Sequence, residues 1–319
     1  MKSLFIAHLL AVFLAAPIAS WAGDSPHQTS TVVPLGLPVL TAAAKPASAT
    51  YLLRYKFHQG EEIRTKVAHI ATIETTIGGT TQTTDMKSYS MKLWRVTALE
   101  KAGAATIENL VERVDMRNKM SGRQEVRYDS KTDKVAPLEY EDVAKSIGKV
   151  LSIVTLDPAG DVLKREDKLA RAAPNGGAIL VPPLPKEPIP VGHVWSLPQE
   201  VNVSIDEGAT KAIQTRQRYE LEKVENGIAT IAVETQILTP IQDPKIRVQL
   251  IQRLSKGHIR FDLAAGRIVG QRTDLDETVL GFSGPDSSMH YVACFAEELL
   301  PPNAETATAD ITAIAPSRK

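Results

Sequence analysis

The chain has 319 residues, with 37 Lys and Arg against 37 Asp and Glu, so its formal net charge is zero. Charged residues make up 23% and hydrophobic residues 43%, a globular composition rather than a disordered or collagen-like one. Balanced charge gives no footing for nucleic acid, and a lone cysteine, Cys294, excludes an intramolecular disulfide and a four-cysteine zinc site.

At the start, Lys2 precedes an apolar run from Leu4 to Leu14, and Ser20-Trp21-Ala22 forms a small-x-small cleavage pattern before Gly23. This layout is that of a secretory signal peptide over residues 1–22. The apolar core is shorter than the roughly 20 residues a bilayer span requires, so the mature chain is expected to carry no transmembrane span. No cysteine follows the cut, which excludes a lipoprotein anchor. The expected location is the periplasm or the extracellular space, with the protein soluble after cleavage. Without cross-links, stability must come from the core.

Residues 23–50 are rich in Ser, Thr, Pro and Ala and read as a flexible leader; residues 301–319 read as a disordered tail. Between them lie two β-rich stretches, 51–172 and 191–300, joined by a Pro-rich linker at 173–190. In that linker Pro174, Pro182, Pro183, Pro185, Pro188 and Pro190 disfavour both ladder and helix, giving a stiff linker or strap.

Period-two alternation marks strands. Tyr51, Leu53, Tyr55 and Phe57 alternate with Arg54, Lys56 and His58. Val201, Val203 and Ile205 alternate with Asn202 and Ser204, and Ile246, Val248 and Leu250 with Arg247 and Gln249. Met289, Tyr291, Ala293 and Phe295 continue the pattern. Gly78-Gly79, Gly103 and Asn226-Gly227 supply hairpin turns, and the Thr-rich stretch from Thr72 to Thr84 reads as a solvated hairpin. Tyr140, Val143, Ala144, Ile147 and Leu151 follow helical spacing, and Lys164 to Ala172 suggests a second short helix. The expected fold is therefore mostly β (α+β): two tandem antiparallel β-meander halves with one or two helices around 139–172. The halves either pack face to face or continue as one curved, half-barrel sheet.

The two stretches carry an internal repeat. Leu99 to Ile107 parallels Leu221 to Ile231, Val126 to Asp129 parallels Ile259 to Asp262, and Gly60 parallels Gly192. The acidic turn recurs at Leu156 to Val162. Asp157 and Asp161 alone do not make a calcium loop, so the simpler reading is an Asp side chain bonding the backbone of a glycine turn.

No sequence signature of catalysis stands out. His-Glu-x-x-His, a P-loop and Gly-x-Gly-x-x-Gly are absent, Gly281-Phe282-Ser283-Gly284 misses the nucleophile-elbow spacing, and Gly23-Asp24-Ser25 sits at the predicted cut. His290 and Cys294 share a strand face at spacing four, which reads as a buried thiol beside a surface or packed histidine rather than a dyad. Trp94 and Trp195 read as core packing. We accordingly name no catalytic, cofactor-binding or metal-binding residue and expect no cofactor.

The signal peptide, the Tyr55-Lys56-Phe57-x-x-Gly60-Glu61 opening, the Pro-rich join to Gly192-His193-Val194-Trp195 and the closing Gly266-Arg267-Ile268 hairpin resemble an uncharacterised family of secreted, planctomycete-type bacterial proteins. That resemblance implies a duplicated β-rich fold and brings no site residues. A fainter similarity is to periplasmic lipoprotein carriers, which are incomplete barrels with helices plugging an apolar groove. The expected function is an exported, non-enzymatic binding or interaction protein. One alternative is a periplasmic carrier of an apolar ligand or lipid; another is an unrecognised hydrolase. The expected partners are a cell-envelope protein or an apolar small molecule, and no nucleic acid.

Overall fold

The computed structural model describes residues 49–169, 181–206 and 209–302. The expected signal peptide, nearly all of the leader and tail, and residues 173–180 of the Pro-rich linker lie outside the described residues, as does Gly23-Asp24-Ser25.

The first half runs β1 (Thr50–Tyr51), β2 (Glu62–Ile77), β3 (Thr80–Leu99), β4 (Ala105–Met120), β5 (Val126–Asp129), α1 (Glu141–Ser146), β6 (Val150–Leu156) and β7 (Val162–Asp167). The second runs β8 (Ile189–Pro190), β9 (Val194–Asp206), β10 (Ala209–Glu225), β11 (Ile228–Ile237), α2 (Pro244–Leu250), β12 (Lys256–Asp262), β13 (Arg267–Leu280) and β14 (Ser288–Leu299). The long strands form one antiparallel sheet in the order β7-β6-β4-β3-β2-β14-β13-β12-β11-β10-β9, with β5 added on β4. The joint is the antiparallel pairing of β2 with β14, from Thr65 opposite Leu299 to Thr76 opposite Ser288. The two halves are therefore one continuous sheet. It is not a closed barrel, because β7 and β9 remain as its edges.

The sheet is strongly curled. Ala105, Ile107, Val154 and Leu156 from one flank share a core with Tyr219, Leu221, Ile231, Ile259 and Phe261 from the other. In sheet order β3, β2, β14, β13, β12 and β11 separate β4 from β10, so only curvature brings these side chains together. The gap between the flanks is filled by a strap. Leu53 and Tyr55 come from the segment after β1, and Val181, Leu184 and Ile189 come from the Pro-rich stretch, all buried. Prolines suit this role because the strap needs few ladder bonds. Its polar groups are met individually: Leu184 N donates to Ala159 O at 2.7 Å, Tyr55 Oη to Pro182 O at 2.9 Å, and Trp195 Nε1 to Pro183 O at 2.8 Å.

Four stretches differ from the pattern reading. The alternation from Tyr51 to His58 is not a strand: only Thr50 and Tyr51 pair, with Pro190 and Ile189, and residues 52–58 run irregularly because their backbone bonds go singly to the turns on either flank, Tyr55 N to Pro158 O and Lys56 N to Gly266 O, while Leu53 and Tyr55 are still buried as the alternation requires. Residues 246–250 are helical, not a strand. Asp243 caps α2 by accepting from Lys245 N at 2.8 Å, and Pro244 stands in the first turn. Apolar residues at spacing two passed for a strand because both sides of the helix are covered. Ile246 and Leu250 pack on Val201, Val203 and Ile213, while Val248 packs toward Leu275 and Val279. The helix around 140 stops at Ser146, because Ile147 is extended and Gly148 takes φ +73°; Leu151 belongs to β6. Tyr140, Val143, Ala144 and Ile147 still cover Val114 and Tyr128 as their spacing requires. No second helix follows: residues 162–167 are the edge strand β7, whose run Lys164-Arg165-Glu166-Asp167 suits a solvated edge, and 170–172 lie outside the described residues.

Asp243→Ala is expected to cost about 1 kcal/mol in urea unfolding, with Asp243→Asn near neutral, because only the cap bond distinguishes them. An equal loss in both variants would show that the cap contributes nothing.

The remaining turns follow the sequence. Gly78 and Gly79 take φ +57° and +75° between β2 and β3, and Asn226 and Gly227 take φ +51° and +78° between β10 and β11. Among the described residues, no helix is long and apolar enough to cross a membrane.

Candidate functional site

Side chains alternate across the pleat, so the curl gives each strand a concave and a convex side. On the concave side the register aligns Thr65, Val67 and His69 of β2 with Lys92, Ser90 and Ser88 of β3, and with Leu299, Glu297 and Phe295 of β14. Helix α1 covers one part of this side and α2 another, while the strap fills the core end.

A narrow cleft of about 40 Å³ remains beside the strap. Its apolar walls are Phe57, Ile63, Trp94, Ile268 and Leu299, with Tyr55 and Val181 from the strap. Tyr55 is fixed by stacking on Phe57 at 6.2 Å and by an edge contact with Phe261 at 5.4 Å. Burial pushes its hydroxyl well above the ordinary tyrosine range, so it stays protonated and serves as a donor to Pro182 O. Trp94 and Trp195 both pack against the central core, and Trp94 also faces the cleft.

Thr65, Arg267, Gln271 and Glu297 bring polar groups to the same cleft, and Lys92 and Glu61 pair with Glu297 and Arg267 without lining it. Glu297 Oε1 accepts from Thr65 Oγ1 at 2.7 Å, and Oε2 accepts from Gln271 Nε2 at 2.7 Å. Lys92 Nζ stands 4.0 Å from Glu297 Oε1 and 5.9 Å from the centre of the Phe295 ring. The side chains of Lys92 and Glu297 are only 19% and 12% exposed. Arg267 Nη1 donates to Glu61 Oε1 at 2.7 Å. Burial alone would raise the Glu61 carboxyl, but the bond and charge of Arg267 and the His58 N–H outweigh it and hold it below the usual range. None of these residues stood out in the sequence. Glu297 is one acidic residue in a strand, and its partners Thr65, Lys92 and Gln271 come from three other strands. A weak signal existed in the interruption of an apolar alternation: Glu297 follows Tyr291, Ala293 and Phe295 on one face.

The residues singled out earlier lie elsewhere. His290 and Cys294 do share a face, and it is the convex one. Each is engaged separately: His290 Nε2 pairs with Asp276 Oδ1 at 2.8 Å, while Cys294 lies directly opposite Asp274 in the β13–β14 ladder. Burial and the nearby Asp274 charge push the thiol up to about 11, so the thiolate is scarce at neutral pH. Gly281-Phe282-Ser283-Gly284 forms the β13–β14 turn, where Ser283 N donates to Ser287 Oγ at 2.7 Å. Among the described residues no group of three or more His, Cys, Asp and Glu is placed to hold a metal ion.

The acidic turns are structural. Asp157 Oδ1 accepts from Ala159 N at 2.9 Å and Asp161 N at 2.8 Å; Asp262 Oδ1 accepts from Ala264 N and Ala265 N, both at 2.8 Å. The two turns grip the strap from opposite flanks. Tyr55 N donates to Pro158 O at 2.8 Å, and Lys56 N to Gly266 O at 3.0 Å. The register places the two acidic turns at comparable ends of the ladder. Leu156 lies opposite Ala105 and Phe261 opposite Ala229, so the turns that begin at Asp157 and Asp262 follow strands placed alike in the ladder. Val126–Asp129 instead pairs with the far end of β4, at Asp115–Asn118, and has no such counterpart in β12.

No family model matches the chain, so the planctomycete-type family resemblance has no such support, and no curated protein matches it significantly. Among solved structures, one similar chain comes from work on lipid–protein interactions in lipovitellin. It shows 9% identity and a TM-score of 0.41, over 77% of this chain and 26% of that one. The chain thus spans about a quarter of that protein. Another is DynF from the dynemicin biosynthesis pathway of Micromonospora chersina, at 10% identity and a TM-score of 0.22, over 84% of this chain and 96% of that one. Both likenesses are too distant to carry a functional argument.

Proposed function

We propose that the protein is an exported, non-enzymatic binding protein that takes the apolar end of a small molecule in the cleft beside the strap. The observation that supports this reading is the cleft itself. Phe57, Ile63, Trp94, Ile268 and Leu299 supply apolar walls on the concave face, and a few polar side chains converge at one place among them. Such a mixture of apolar lining and sparse polar groups is how small-molecule sites are generally built. The scale sets the ligand. A space of about 40 Å³ has room for roughly three water molecules, far below the several hundred Å³ that enclose a drug-sized ligand. The cleft therefore grips one end of a ligand and leaves the rest outside.

The test is native mass spectrometry of the precursor expressed with export, purified from the envelope fraction, before and after organic extraction. The expected result is cleavage after Ala22 and a bound mass of a few hundred daltons that extraction removes. A protein retained uncleaved in the cytoplasm would overturn export, and an apo mass unaffected by extraction would overturn the bound apolar ligand.

A further inference from the structure

The convex face of the sheet carries an apolar patch at the joint between the halves. Ala68 of β2, Tyr89 and Met91 of β3 and Ala296 of β14 form one buried cluster, with Ile70 and Leu300 packed against it. The register sets Ala68 directly opposite both Tyr89 and Ala296, and Lys66 opposite Met91. On β2 these positions alternate with Thr65, Val67 and His69, so the patch points away from the helices and the strap. On an open sheet face such residues meet water. Met91 is nevertheless 0% exposed, and the side chains of Lys66 and Arg113, which flank it on β2 and β4, are only 15% and 16% exposed. Charged side chains of that length are rarely so covered on a free face.

The chain itself leads a cover to this place. Leu300 N donates to Arg64 O at 2.8 Å, and its side chain joins the patch. Pro302 then stands in a turn, and residues 303–319 follow it outside the described residues. Fully extended, they could reach about 55 Å, whereas the patch ends within about 20 Å of Leu300. Their sequence has the form of a one-faced strand: Ala307, Ala309, Ile311 and Ala313 alternate with Thr306, Thr308, Asp310 and Thr312. By itself this segment has too little apolar surface to order, which is why its composition reads as disordered. A preformed apolar face supplies the burial it lacks.

We propose that residues 306–313 fold back over the convex patch as its cover, with Ala307, Ala309, Ile311 and Ala313 toward Tyr89 and Met91 and the threonines toward solvent. The sheet then has a packed layer on both faces at the β2–β14 pairing, where the two halves meet.

The experiment follows oxidation of Met91 by hydrogen peroxide in the full-length protein, read by peptide mass spectrometry, with Met120 at the far end of β4 as the internal reference. Met91 is expected to oxidise roughly tenfold more slowly than Met120, and ending the chain at Pro302 should abolish that difference. In the full chain Ile311→Asp should act as truncation does, while Thr312→Asp, on the outer side, should leave Met91 protected. These single changes leave every residue of the sheet in place, so they decide the matter where the truncated chain does not fold. Met91 oxidised as readily as Met120 in the wild type would show an open patch. Protection that survives Ile311→Asp would assign the cover to residues 23–48 or to the sheet's own side chains, and equal exposure by Ile311→Asp and Thr312→Asp would remove the one-faced docking. Any of these three results overturns the proposal.

Discussion

Replacing Gly266 or Gly160 by alanine is expected to destabilise the protein by about 3 kcal/mol or more each, a loss read as a lowered urea midpoint with an unchanged slope. Both glycines close an acidic turn with positive φ, +63° at Gly266 and +86° at Gly160, where an L side chain is strained. Both also lack the space. A Cβ on Gly266 would lie 2.6 Å from Arg54 O and 2.5 Å from Lys56 Cγ; on Gly160 it would lie 2.8 Å from Tyr55 Cε2 and 3.0 Å from Pro182 O. The backbone oxygens cannot rotate away, so the strap itself must move. That would break the bonds Lys56 N makes to Gly266 O and Tyr55 N makes to Pro158 O, and expose Tyr55, Leu53 and Val181. Gly78 supplies the control. Its φ is +57° but its Cβ would meet nothing within 4 Å, so alanine there should cost only the conformational strain, about 1 kcal/mol. Equal losses at Gly78 and Gly266 would show that strap contact contributes nothing.

The second large effect is on acid stability. Burial beside Ser88 and Phe295 pushes the His69 imidazole down from 6.5 to about 4. The unfolded chain therefore takes up this proton before the folded one does. The sign follows: stability is full above pH 6.5 and is lost progressively as pH falls toward 4, by about 3 kcal/mol in total. Carboxylates titrate in the lower part of the same range, so the informative quantity is a difference. His69→Gln, which cannot take up the proton, should flatten the wild-type slope between pH 6.5 and 4.5 in urea unfolding. Identical slopes for the two proteins would exclude His69 as the source.

The alternation of Met289, Tyr291, Ala293 and Phe295, the glycine turns and the acidic turns were all legible because each depends on residues near one another in the chain. Backbone conformational limits and pleat periodicity act over a few residues, and they suffice to give a mostly β, antiparallel protein with Asp-bonded turns. Where a local signal was overlooked, the cause was competition between patterns: Asp243-Pro244 announced a helix start, yet the period-two run at 246–250 masked it. The end of the helix at Gly148 was likewise local, and was overrun because Leu151 kept the helical spacing by coincidence.

What needed tertiary structure is everything that depends on curl and closure. Pairing of β2 with β14 joins residues more than two hundred positions apart, and no local rule prefers it to two separate sheets. Only the curl turns a Pro-rich connection into a buried strap, by presenting an apolar gap between flanks that would otherwise face water. The cleft follows from the same event. Glu297, Thr65, Lys92 and Gln271 come from four strands, and a carboxylate in an otherwise apolar alternation acquires chemical meaning only when folding sets a threonine, a glutamine and an ammonium around it.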